Sequence, residues 1–147
     1  AVQTLKALFL TMWTVTGIED KTDMEHYLQE KPQQRKSSGF VLPYGNSPLT
    51  YHKVAENVYL HLLNTSTNYV YIMTPYLILD DELVRAMTFA ARRGVDVRII
   101  IDKHELDEPT SSIDLFRKAN IPLVVDAKPE TAHNNIMIFD QKSVFTG

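Results

Sequence analysis

Apolar and polar residues follow one another along this chain with two periods. In the first segment Leu5, Leu8, Phe9, Met12 and Trp13 recur at helical spacing. That spacing predicts an amphipathic helix ending near Gly17 and packed on a core. Its polar side lacks the lysines and arginines that a membrane-surface helix prefers. Residues 19–50 are polar and broken by Pro32, Gly39, Pro43, Gly45 and Pro48, which predicts a linker holding one short strand, Phe40 to Leu42. From residue 51 the pattern turns regular. Val54, Val58 and Leu62 mark a helix over about 51–64, and Tyr69 to Met73 a strand closed by Thr74-Pro75. Asp80, Asp81 and Glu82 put negative charge where the next helix starts, Leu83, Met87 and Ala90 form its inner face, and Arg92, Arg93 and Gly94 end it. A strand is expected at 95–102, then a helix at 111–120 capped by Ser111 and stopped at Asn120. A strand at 121–126 and an unbroken apolar run, Ile136 to Phe139, complete the series.

Strands alternating with helices of this length imply an α/β fold with a mostly parallel sheet, flanked by helices and wound with right-handed crossovers. The chain therefore divides into an amphipathic helix plus polar linker, 1–50, and an α/β domain, 51–147. The closing VFTG stops inside an apolar strand pattern, and the opening AVQTLKALFLTMW has neither an initiator methionine nor a basic leader. Both ends suggest a piece of something longer.

Composition narrows the chemistry. A net charge of −3 over 147 residues shows no general attraction to nucleic acid. The absence of cysteine removes disulfides and thiolate metal sites. No stretch approaches the roughly 18 apolar residues of a membrane span. His26, His52, His61 and His104 have no ligand-like spacing, so no metal site is expected, and His104 falls in a charged loop, KHELDE. His133 differs because it stands just before the last apolar run, with Asp140 just after it. His133 and Asn135, two apart, share one face of a strand. Parity puts Asp140 on the opposite face, a poor partner for His133 and a better anchor for the turn Asp140-Gln141-Lys142. The loop TPYLILDDE, 74–82, follows a strand's carboxyl end, where open α/β sheets bind ligands. There Thr74 and Tyr76 carry hydroxyls suited to a phosphate or headgroup.

GFVLPYGNSPLTYHKVAENVYLHLLN, YVYIMTPYLILDDELVRAMTFAARRGVDVRIII and LKALFLTMW resemble bacterial cardiolipin synthases of the phospholipase D superfamily over residues 1 to about 101. The closing SSIDLFRKANIPLVVDAKPETAHNNIMIFDQKSVFTG looks more like the nuclease branch of that superfamily, and the loop after residue 101 is shorter than a synthase would have. The superfamily mark is H-x-K-x-x-x-x-D followed by a Gly-Ser-x-Asn turn. His133 and Asp140 match it, Asn135 stands at the lysine, and Gly147 would open the turn.

The resemblance implies a phospholipase D-like half domain that works without a cofactor. In such a site one histidine attacks phosphorus to form a phosphohistidine, and a second protonates the leaving alcohol. It implies phosphatidylglycerol as substrate, phosphatidyl transfer to a second phosphatidylglycerol as reaction, and the bacterial cell membrane as the place of the full-length protein. An opposing motif-bearing half is required, either upstream in a longer protein or a second copy. A half standing alone is expected to expose an apolar face and to dimerise or be unstable. Two other readings remain open: a nuclease-like phosphodiesterase half, with nucleic acid a poor match to the acidic balance, and a non-catalytic half, for which Asn135 is the argument.

Overall fold

Alternation along two central strands sets the core. In β1 (Tyr69–Thr74) Val70 and Ile72 are buried, and in β2 (Asp96–Asp102) so are Val97, Ile99 and Ile101, with half-buried or exposed residues between them. The computed structural model describes residues 1–16, 24–29, 36, 38–46, 51–126 and 133–147, in two compact units, Ala1–Ala55 and Glu56–Gly147. The first helix ends at Val15 with Thr16 as its cap, beside the stop expected near Gly17, whereas Gly17 itself, Pro32 and Pro48 lie outside the described residues.

In the second unit, β1 and β2 join β3 (Leu123–Asp126), β4 (Ile136–Phe139) and β5 (Ser143–Thr146) in one sheet of order β3-β2-β1-β4-β5. The parallel arrangement expected from the alternating pattern holds for β1, β2 and β3. Then β4 enters antiparallel to β1, and β5 returns beside β4 as a hairpin. The crossovers through α4 (Asp81–Arg92) and α5 (Ile113–Lys118) step in the same direction across the sheet. A single hand of crossover therefore puts both helices on one face. Met87, Ala90 and Phe116 from these helices, with Leu63 of α3 (Val54–Thr65), meet the buried strand residues in one core. The other face of the sheet carries Tyr71, Met73, Arg98, Ile100, Val124, Ile136 and Ile138 around an open cleft of about 750 Å³. The expected apolar face is thus present, so within this unit helices flank the sheet on one side.

Helix ends follow the local chemistry. Asp80 caps α4 by accepting from the Leu83 amide at 2.9 Å. At the other end the Gly94 and Val95 amides donate to Ala91 and Ala90 carbonyls at 3.0 and 3.1 Å, a closing pattern that needs a left-handed residue, and Gly94 has φ +92°. A Cβ there would meet no neighbour, so only the backbone conformation opposes a side chain. Gly94→Ala is expected to lower unfolding stability by about 1–2 kcal/mol in urea titrations. Asn120, φ 56°, closes α5 in the same way. Arg93 donates to the Leu63 and Asn64 carbonyls at 2.8 and 2.9 Å, tying the end of α3 to the end of α4.

Three local expectations fail. The helix read as 111–120 is shorter, starts after Ser112 and has no side-chain cap, and Ser111 Oγ is buried with no partner among the described residues. In the first unit, α1 (Val2–Val15) forms, yet Leu5, Phe9, Met12 and Trp13 are exposed and Leu10 is the buried residue. Besides α1, the described part of that unit holds the short α2 (Met24–Gln29), inside the stretch read as linker, and residues 38–46 without regular structure, of which Gly45 lies against Leu8 of the stripe. Phe40 to Leu42 is not a strand; all three side chains are exposed, and no neighbouring strand pairs with their backbone among the described residues.

Candidate active site

Because β4 runs antiparallel to β1, its beginning lies beside the end of β1. Met73 pairs with Ile136, which sets Thr74 opposite Asn135, while Ile136 pairs with Thr146 on the other side. The Gly147 amide donates to the Asn135 carbonyl at 3.2 Å. The carboxyl ends of β1, β2, β3 and β5 and the beginning of β4 therefore share one edge. Ligands gather at this edge in open α/β sheets.

Four of the five site residues read from the sequence meet there. Thr74 Oγ1 lies 2.8 Å from Asn135 Oδ1 and 2.8 Å from the Tyr76 carbonyl oxygen. With one proton, the hydroxyl donates to one of the two at a time. It thus fixes both the Asn135 amide and the turn that carries Tyr76. The exposed Tyr76 ring sets its edge against the His133 imidazole, with centroids 6.0 Å apart at 77°. Among the described residues no hydrogen bond orients His133, and the Tyr76 ring is its aromatic neighbour.

Asp140 lies apart from these four, at the far end of β4. It and Gln141 have φ of 51° and 55° and form the hairpin turn to β5, a backbone that Asp tolerates better than most residues. Its carboxylate accepts from the Thr67, Asn68 and Tyr69 amides at 2.8, 2.8 and 2.9 Å, and from the Thr67 hydroxyl at 3.2 Å. These bonds, led by the Thr67 amide, hold its pKa down at about 2. The turn anchor expected from parity is therefore also a clasp on the segment that leads into β1.

Glu105 escaped the sequence reading. It sits in a 3₁₀ turn, Lys103–Asp107, after β2, within the stretch read as a charged loop. His104 beside it is exposed, yet Glu105 is buried and accepts from the Leu77 amide at 2.9 Å. The Ser112 amide donates to the Leu77 carbonyl at 3.1 Å. Leu77, next to Tyr76, is therefore held from both sides. The only local signal was Leu106 and Pro109 among charges, too weak to mark one carboxylate as buried. Among the described residues no group of His, Asp and Glu is placed to hold a metal ion.

A family model described as "Cardiolipin synthase, PLD-like domain" matches residues 59–147. The chain belongs to this phospholipase D-like family. An uncharacterised protein of Streptococcus mutans is 47% identical over 100 residues, 68% of this chain and 21% of that protein. The cardiolipin synthase of Alkalihalophilus pseudofirmus is 30% identical over 101 residues, 69% of this chain and 20% of the synthase. Nuc from Salmonella typhimurium, a phospholipase D family member of known structure, superposes with a TM-score of 0.54 at 26% identity, over 61% of this chain and 60% of Nuc. The phospholipase D-like chain spans between about a fifth and about three fifths of the curated relatives it matches. No helix among its described residues is long and apolar enough to cross a membrane.

Proposed function

We propose that the chain supplies one half of a phosphodiester-exchange site of the cardiolipin synthase type. One observation carries this reading. His133 and Asn135, at the motif spacing, are held with Thr74 and Tyr76 on the carboxyl edge of a phospholipase D-like sheet. His133 would attack phosphorus of a phosphatidylglycerol, displacing glycerol, or act as the acid and base for a histidine of the opposing half. The hydroxyl of a second phosphatidylglycerol then takes the phosphatidyl group, and the products are cardiolipin and glycerol. The opposing half comes from a longer protein or from a second copy, and the bacterial membrane supplies both lipids. Thr74 and Tyr76 line the approach to phosphate, and Asp140 braces the strand that delivers His133. No cofactor enters this scheme.

Asn135 supplies hydrogen bonds to a non-bridging oxygen and no positive charge. Losing an electrostatic donor of this kind costs about 10²–10³ in rate. Asn135→Lys, with a matching first half supplied and phosphatidylglycerol vesicles as substrate, is therefore expected to raise cardiolipin formation by about that factor. No cardiolipin from either form would end the transferase reading.

The likeness to Nuc and the closing segment favour a second reading, a phosphodiesterase half acting on other phosphodiesters. Cleavage of single-stranded DNA without magnesium, in place of cardiolipin formation, would select it. Turnover by neither route, with both halves present, would leave a non-catalytic half, as Asn135 suggests.

A further inference from the structure

Glu105 is buried and takes no part in the phosphodiester scheme. Burying a glutamate costs desolvation that an apolar side chain would avoid, unless its polar atoms are hydrogen-bonded. Its Oε1 accepts from the Leu77 amide at 2.9 Å. That N–H belongs to the same peptide group as the Tyr76 carbonyl, and no peptide bond among the described residues is cis. In a planar trans peptide the N–H and the C=O point in opposite directions. An acceptor that fixes the Leu77 N–H on one side therefore aims the Tyr76 oxygen to the other. There it meets Thr74 Oγ1 at 2.8 Å, and the same hydroxyl lies 2.8 Å from Asn135 Oδ1. One peptide group and one hydroxyl thus connect a buried glutamate to the residue at the motif's lysine position.

The arrangement is anchored at its base and open at its tip. Leu77 is buried and its carbonyl accepts from the Ser112 amide at 3.1 Å, whereas Tyr76, one residue away, is exposed. Without an acceptor at Glu105 the Tyr76–Leu77 peptide is free to rotate about its flanking bonds and to carry the Tyr76 carbonyl off Thr74. The Thr74 hydroxyl then loses one of the two contacts that set its rotamer, and Asn135 loses a fixed neighbour. We propose that Glu105 is a positioning residue for the site. Through the Tyr76–Leu77 peptide and the Thr74 hydroxyl it holds the Asn135 amide where that amide meets phosphate. This rests on the phosphodiester reading and adds to it a residue outside the motif.

The Asn135 side-chain amide is the reporter, its order read by NMR relaxation of the labelled nitrogen in the chain without substrate. Glu105→Gln keeps an acceptor of the same shape and is expected to leave that amide as ordered as in wild type. Glu105→Met keeps the length of the side chain and loses the acceptor, and is expected to make the amide mobile. With the opposing half present, Glu105→Met should also lower kcat for cardiolipin formation about tenfold and change KM little. Should Glu105→Met not fold, Glu105→Asp, which draws the carboxyl group back by one methylene, is read in the same way. Thr74→Val breaks the connection at the hydroxyl, so adding Glu105→Met to it should cost no further rate. An Asn135 amide as ordered in the Met or Asp variant as in wild type overturns the proposal. A mobile amide with an unchanged kcat overturns it too, as does a further loss of about tenfold in the double variant. If the amide loosens as expected while wild type turns over neither lipid nor DNA, the hold on Asn135 stands and the phosphodiester reading fails.

Discussion

His133→Ala is expected to lower phosphatidyl transfer by on the order of 10⁴-fold or more, whether His133 is the nucleophile or the acid and base for the opposing histidine. Asn135 and Thr74 can still position phosphate in this variant, but neither can take a phosphoryl group or move a proton at neutral pH. Substrate binding should therefore change far less than turnover. The measurement is cardiolipin formed from phosphatidylglycerol with the opposing half present. His104→Ala, an exposed histidine that follows β2 at the same edge, is the control and should leave the rate unchanged. Base-stable, acid-labile labelling of the opposing half that survives His133→Ala would place the covalent step there. Full turnover by His133→Ala would remove the residue from the mechanism.

Asp140→Ala is expected to lower unfolding stability by about 1–2 kcal/mol, since the carboxylate accepts from three backbone amides and water can replace it at the two on exposed residues, Thr67 and Asn68. The pH dependence follows from its depressed pKa. The folded value of about 2 lies below the ordinary 3.8, chiefly through the Thr67 amide bond and against partial burial. A group depressed in the folded state contributes fully above the unfolded pKa and loses that contribution as pH falls through the folded one. Wild type and Asp140→Ala should thus differ most above about pH 4 and converge toward pH 2 in urea unfolding. An equal gap at pH 7 and pH 2 would show that the loss is one of packing. The two variants also separate two roles within one motif. His133→Ala should leave the fold intact and stop chemistry, whereas Asp140→Ala should weaken the fold and reach chemistry only through β4.

The sequence by itself determined the elements whose signals are local. Runs of β-branched and aromatic residues marked β1 and β2, because such side chains fit a pleated, half-buried surface. Asp80 at one end and Arg93-Gly94 at the other bounded α4, because unpaired amides and carbonyls at helix ends select those residues nearby. The spacing of His133, Asn135 and Asp140 is local too, as are the Thr74-Pro75 strand stop and the hydroxyls around it.

Tertiary structure decided whatever depends on a distant partner. The direction of β4 comes from pairing with β1 more than sixty residues earlier, and only that pairing brings Asn135 to Thr74 and His133 to Tyr76. The burial of Glu105 depends on an amide at Leu77, which nothing in KHELDE announces. The stripe on α1 shows the converse: helical periodicity says which side of a helix is apolar, but whether that side is covered depends on what folds against it. A carboxylate becomes a clasp, a buried support or a solvated charge according to the amides the fold brings within 3 Å of it, and neighbours along the chain do not encode that distance.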